Sequence, residues 1–542
     1  MKKLAIVNAK VYVEREKFAE AVYCEDGFIK LVGSNDEVKA AAGEDCKVID
    51  LGGKVLIPGF NDSHCHLMGV GANLERCNIK LATSIEGLIK MLKEFAAAHP
   101  ESCAKGIQAR GFNEDFFTDE KRMPNRYDLD KISTEVPIML RRACGHKISC
   151  NSKALELAGI GKGFGQVPNG DIWYDEDGEP TGIMAEQANR LIQAVFEPFD
   201  DNDYDRQFDT ATKYALQYGI TSVQSNDVSD TVDDWDAAFR VIEKYYKDGR
   251  TPLRYYMQVC AKTPQQFKAQ LAPGGFHYGR HNGHDLQFEI GPLKVIKDGT
   301  LGGRTATMRN GYKDDPGNYG FDVVDQDKFE EMCRIADANN IGVAAHCIGD
   351  KAVEDAINAY EAVLRDGKNP LRHNIIHCQV TDMPLLERIK KDDLVAGVQP
   401  IFLHFDLHSM ITRCEDELSS TSYAFNTMEE MGIHVGYGTD APVEDLNPYT
   451  GLYSAVTRKD LNGWPEEGWW PNECVDIYRA VDAYTVGSAY CEFKEDVKGR
   501  IKPGFVADFA VPDKDIFTID PMDLRDVKTL MTVIGGEVVF ER

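Results

Sequence analysis

The sequence predicts an α/β protein, a (β/α)8 TIM barrel accompanied by an all-β domain assembled from both ends of the chain. Three observations predict it. Short apolar segments alternate with helical stretches through the middle of the 542 residues, eight of those segments read as strands, and polar residues gather where the strands finish. Alternation of this kind implies a parallel sheet. Eight parallel strands close a barrel, and its active site then lies at the C-terminal strand ends.

At the start, Leu4–Val7, Lys10–Val13, Ala21–Cys24 and Phe28–Val32 read as short alternating strands, the last after the turn Glu25-Asp26-Gly27. The end has the same character: Asp508–Val511, Val527–Val533, the turn Gly535-Gly536, then Val538–Phe540. Because termini often lie close together, residues 1–57 and 496–542 are expected to form one sheet domain around a central barrel at 58–495. The first barrel strand follows the apolar run Val55-Leu56-Ile57 and ends at His66. The others are Ile220–Gln224, Leu253–Met257, Leu293–Ile296, Gly342–His346, Asn374–His377, Val395–Val398 and His434–Gly438. The gap between the first two is too long for one crossover helix, so residues from about 70 to 205 are read as an insertion. It carries strand-like pieces at Ile107–Phe112, Pro137–Arg142 and Ile172-Trp173-Tyr174, the last leading into a hairpin turn at Asp175–Gly178. That acidic turn lacks the remaining oxygen ligands of a calcium loop, and the glycines of Gly159–Gly165 follow a helix rather than a strand, so neither reads as an ion or phosphate site.

Composition bounds the function. With 43% hydrophobic and 27% charged residues the chain is globular. Acidic residues outnumber basic ones 88 to 61, for a net charge of −27, which argues against nucleic acid or an anionic membrane as partner. No apolar run approaches the roughly 20 residues that cross a bilayer, and the first residues lack the apolar core of a leader, so the reading is a cytoplasmic protein. The 14 cysteines are dispersed without a CxxC pair, as reduced core thiols would be. Large barrel enzymes often self-associate, so a homo-oligomer is allowed, with no interface legible.

The chemistry-bearing residues are few. His64 and His66 stand one residue apart on a strand, share a face, and can reach one cation together. Read singly, that pair is a polar strand end, and His346 and His377 are hydrogen-bonded core histidines at strand ends. Asp440, within Gly438-Thr439-Asp440-Ala441-Pro442, caps a helix or begins a turn on the same reading. Together they have the composition of a metal site. Lys294 reads either as an ordinary barrel lysine paired with a carboxylate or as part of that set; Lys297 competes with it, though alternation puts Lys297 on the opposite face.

These stretches resemble the metal-dependent amidohydrolase superfamily, and within it the amidohydrolase-3 family that includes N-substituted formamide deformylases. The matching segments are Pro58–His66, Lys294–Thr300 with Thr305-Ala306, His346–Asp350, Ile376–Gln379, Gln399-Pro400 and Gly438–Val443, with further matches at Arg126–Asp130, Gly145-His146 with Asn151-Ser152, and Lys502–Asp508. The resemblance implies that the terminal segments form a composite β-sandwich domain. It also implies that His64 and His66 bind one metal, that His346 and His377 bind a second, that Lys294 bridges them as a carbamate, and that Asp440 is ligand and general base. Neutral imidazoles suit Zn2+, one or two ions per chain, and a lysine carbamate offers two anionic oxygens where an ammonium offers none.

The expected reaction is hydrolysis of a non-peptide C–N bond of a small molecule by metal-activated hydroxide, since a divalent ion lowers the pKa of its water to about 7. A hydrolase or lyase acting on a C–O or C–C bond, and a non-catalytic metal-binding regulator on the same scaffold, are the alternatives. Departures from the family pattern bear on substrate: Ile376 replaces a common Glu, and Phe402 stands where a histidine often follows Gln-Pro, with His404 and Asp406 beyond it. Phe112–Phe117 replaces a tryptophan-rich stretch. Phe112, His146, Arg304 and Phe402 are the candidate substrate contacts.

Overall fold

The computed structural model describes residues 2–142, 146–196, 198–228, 235–276 and 286–542. Of the Gly145-His146 pair only His146 falls among them. Eight parallel strands form the central sheet: β1 (Phe60–Cys65), β2 (Ile220–Val228), β3 (Arg254–Cys260), β4 (Phe288–Ile296), β5 (Val343–Cys347), β6 (Asn374–His377), β7 (Val395–Val398) and β8 (His434–Tyr437), paired in sequence order. Each expected barrel strand falls on one of these. Every residue of β1, β2 and β3 is buried, as in strands covered on both faces, and in β1 and β2 many of those buried residues are polar, among them Asp62, His64, Gln224 and Asp227.

Strands β8 and β1 are the two free edges of the ladder and close beyond their ends. The Asp440 N–H donates to the His64 carbonyl and the His66 N–H to the Ala441 carbonyl, each at 2.7 Å. The barrel is therefore sealed by the residues that carry its candidate chemistry.

Two further sheets make the sandwich. One runs Phe28–Gly33, Ala21–Glu25, Lys3–Val7, Lys47–Asp50; the other runs Glu537–Glu541, Thr529–Ile534, Phe509–Pro512, Val55–Pro58, Lys10–Glu14, Lys17–Ala19. The second mixes the two ends of the sequence, with Phe509 opposite Pro58 and Ala510 opposite Ile57. Ile6, Val11, Val22, Leu56, Val511 and Val533 fill the space between them. The domain is tied to the foot of β3 by a buried bidentate pair, Arg254 Nε and Nη2 donating to Asp508 at 2.6 and 3.0 Å.

Residues Val70–Thr210 form a separate compact unit. Its six-stranded sheet runs Gly170–Tyr174, Pro180–Glu186, Lys147–Cys150, Ile138–Arg142, Ile107–Phe112, Cys77–Asn78. Among the described residues the cysteines are free and mostly buried, and no helix is long and apolar enough to cross a membrane.

One core histidine gives the fold an acid sensitivity. His373 is buried, its Nδ1 accepting the Val343 N–H at 3.1 Å and its ring stacked 4.9 Å from Tyr360. Burial lowers its pKa from 6.5 to about 4. The unfolded chain binds that proton first, so this contribution to stability is complete above about pH 6.5 and falls by about 3 kcal/mol as pH drops through the window to 4. Between pH 7 and 5, His373→Gln should lose about 2 kcal/mol less in urea unfolding than wild type. An unchanged loss would clear His373.

Candidate metal centre

Three imidazole nitrogens, one lysine amine and one carboxylate converge at the C-terminal ends of β1, β4, β6 and β8. His64 Nε2 lies 3.1 Å from Lys294 Nζ and 3.4 Å from Asp440 Oδ1, and His66 Nε2 lies 3.2 Å from the same Asp440 oxygen. Ligand atoms of His64, His377 and Asp440 all fall within 4.8 Å of one another. His346 joins through His377, with ring centroids 4.4 Å apart. His64, Lys294, His377 and Asp440 are all buried.

The outer nitrogens fix the tautomers. His66 Nδ1 is 2.8 Å from the Asn226 carbonyl, which can only accept, so that nitrogen carries the proton. His64 Nδ1 meets Gln258 Oε1 at 2.8 Å, and the Gln258 amide is oriented by its Nε2 donating to the Ser63 carbonyl. His377 Nδ1 meets Gln399 Oε1 at 2.6 Å, again with Nε2 donating to a carbonyl, that of Gly397. His346 Nδ1 faces Asp298, a carboxylate that also accepts the N–H groups of Thr307, Ile348 and Gly349 at 2.8–3.1 Å. Protonated outward, the imidazoles of His64, His66 and His377 turn a lone pair inward, the arrangement metal-binding histidines adopt.

Electrostatics agrees with the donor set. Burial, helped by Lys294 and neighbouring imidazoles, holds His64 and His377 well below the ordinary histidine range, so both are neutral. For His66 burial works the same way, but the Asp440 carboxylate outweighs it and raises the pKa. Burial lowers Lys294 to about 8 against the pull of Asp440, bringing its neutral amine within reach at mild pH. Asp440 Oδ1 is buried without a hydrogen-bond donor. An oxygen and two nitrogen lone pairs meeting at 3.2–3.4 Å need positive charge between them, and N and O donors in this mixture suit Zn2+. The residues fit a divalent ion.

The backbone is bent to this end. His377 has φ +73° and Asp440 φ +55°, left-handed values that a non-glycine residue adopts only where its surroundings hold it. Gly349, three residues beyond His346, has no alternative: a Cβ there would lie 1.9 Å from the Thr307 carbonyl oxygen.

The remaining candidate residues fall in different places. Lys297 is buried and paired with Asp322 and, at 3.5 Å, Asp355, so it is engaged elsewhere while Lys294 stands at His64. Phe402 is buried and stacks on the His377 ring, centroids 5.7 Å apart. Arg304 is directed to Asp314 at 2.6 Å. Phe112 lies in the core of the Val70–Thr210 unit beside Phe117, and His146 is exposed in that unit, 3.2 Å from Glu186. His404 Nδ1 accepts the Leu461 N–H, and Asp406 accepts from Gln379 and Tyr423. The sequence reading missed the supports: Asp62, Asn226, Gln258, Asp298 and Gln399. Asp298 and Gln399 lie inside recognised motifs and were open to discovery there.

A model of the amidohydrolase family matches residues 47–540. The chain is similar to YtcJ of Bacillus subtilis (strain 168), 33% identical over 530 residues that cover 96% of each chain. It is also similar to the N-substituted formamide deformylase of Arthrobacter pascens, 26% identical over 567 residues covering 100% of this chain and 99% of that one. Among solved structures, an uncharacterized metal-dependent hydrolase from Pyrococcus horikoshii OT3 matches with a TM-score of 0.77 at 26% identity, over 96% of this chain and 99% of its own.

Proposed function

The chain belongs to the amidohydrolase family, and from that premise we propose that it hydrolyses a non-peptide C–N bond, of the amide or N-acyl kind, in a small molecule. The observation that carries this reading is the convergence of His64 Nε2, His66 Nε2 and Asp440 Oδ1 with no donor assigned to that oxygen. His64, His66, His346, His377, Lys294 and Asp440 are the residues that would hold one or two Zn2+ ions. Such an ion supplies electrophilic polarisation of a carbonyl and lowers the pKa of water to about 7.

The chain's own groups do the rest. Asp440 takes the proton of the attacking water and returns it to the leaving nitrogen, which departs as a neutral amine. Gln258, Asn226, Asp298 and Gln399 occupy the outer nitrogens of His64, His66, His346 and His377 and so aim the other ring nitrogens inward. Lys294, as neutral amine, adds to CO2: its nitrogen forms a bond to carbon, one C=O π pair moves to oxygen, and one N–H proton leaves. The resulting carbamate carries the negative charge that an ammonium lacks. Phe402, stacked on His377, gives the acyl side an apolar wall.

Elemental analysis of purified protein tests the centre. Wild type should carry close to two equivalents of zinc per chain and Lys294→Ala clearly less. About one equivalent in both would reduce the site to a single ion and remove Lys294 from it. Turnover of N-acyl amines or cyclic ureas in preference to lactones would support C–N chemistry; the reverse order would replace it with ester hydrolysis.

A further inference from the structure

The seam between β8 and β1 holds a device that the ligand set does not explain. Asp62, fully buried on β1 two residues before His64, accepts three donors: the His64 N–H at 3.1 Å, the Thr439 N–H at 3.1 Å and the Thr439 hydroxyl at 2.5 Å. The same hydroxyl accepts the Ala441 N–H at 3.2 Å. Thr439 Oγ1 thus spans Asp440, bonded to the strand opposite on one side and to the residue after it on the other. Asp440 itself is pinned by its N–H on the His64 carbonyl at 2.7 Å. Gly438 lets the two strands approach this closely, since a Cβ there would lie 2.6 Å from the His64 nitrogen and 2.8 Å from the Asp62 carboxylate.

We infer that Asp62 and Thr439 act as a pair of positioning residues, holding Asp440 in its left-handed conformation and fixing its carboxylate against His64 and His66. The reason is geometric. Residue 440 has φ +55°, which nothing in an ordinary strand end would keep, and its buried Oδ1 has no hydrogen-bond donor to hold it. What constrains it is the ring of hydrogen bonds on either side, closed through Thr439 Oγ1 and Asp62. Because one carboxylate also receives the His64 N–H, the clamp sets the HxH segment and Asp440 in register with each other.

The inference rests on the metal-binding reading proposed above, and the test separates the two. Zn2+ dissociation constants are measured by competition with a chromophoric chelator for wild type, Thr439→Val, Thr439→Ser, Asp62→Asn and the Asp62→Asn/Thr439→Val double variant, with thermal midpoints alongside. Valine keeps the shape and removes the hydroxyl; serine keeps the hydroxyl. Thr439→Val should weaken Zn2+ binding about 10- to 100-fold, the range found for lost supports of metal ligands, and Thr439→Ser should restore most of it. The double variant should lose about as much as the worse single one, because both cut the same ring. Equal affinity in Thr439→Val and wild type, an equal loss in valine and serine variants, or multiplying losses in the double variant would each overturn the clamp. A loss of affinity that merely follows the thermal midpoint across all four variants would overturn it too. A wild type that takes up no Zn2+ would instead overturn the proposed function, and the clamp's purpose with it.

Discussion

Asp440→Asn is expected to lower turnover about 10²- to 10⁴-fold, the range a positioned general base contributes, while leaving the fold and most of the bound metal in place. Asparagine tolerates the left-handed backbone that residue 440 requires. Its amide oxygen still offers a lone pair towards His64 and His66, so the ligand geometry survives. What it cannot do is accept and return a proton at mild pH. A pre-steady-state assay on any substrate found in the amide panel, paired with elemental analysis, checks both halves. An Asp440→Asn protein that turned over at the wild-type rate with metal bound would show that the proton passes through another group.

The second large effect concerns stability. Asp508→Ala removes the partner of Arg254 where both side chains are nearly inaccessible, at 7% and 8% exposure. It also leaves the Gly535 N–H, which donates to Asp508 at 2.9 Å, without an acceptor. An uncompensated buried guanidinium costs about 3–5 kcal/mol, seen as a marked fall in the urea midpoint. The double replacement Arg254→Met with Asp508→Leu should recover much of that loss, because the penalty lies in the orphaned charge rather than in the absent attraction. If the double variant were no more stable than Asp508→Ala, packing at the foot of β3 would be the cause instead.

Both predictions concern residues with different visibility in the sequence. Strands such as Val343–Cys347 were legible because burial on both faces leaves apolar residues in runs, as in Val343-Ala344-Ala345. Lys47–Asp50 was not, since three of its four residues are exposed and carry no apolar period, and Lys17–Ala19 is too short to stand out. The histidines, Lys294 and Asp440 were legible by residue type at strand ends. Lys294 and Lys297 differ in their partners: one stands at an imidazole, the other at two carboxylates. The supports had weaker signatures. Gln258 is one glutamine inside a strand, and the acceptor for His66 is a backbone carbonyl, which no side chain announces. Arg304, a candidate substrate contact by residue type, is paired with Asp314, a partner that nothing in its own segment announces.

The location of the barrel's closure also sets a timetable for synthesis. Asp62 and Thr439 are separated by 377 positions, and at ribosomal rates of roughly 5–20 residues per second that interval lasts roughly 20–75 s. Throughout it, β1 has a free edge and Val55–Pro58 lacks its partner Phe509–Pro512, which emerges later still. Such an edge invites pairing with other chains. Closure of the barrel therefore waits until the residues around Thr439 have emerged, and the candidate ligands of the first and last strands meet only from that point on.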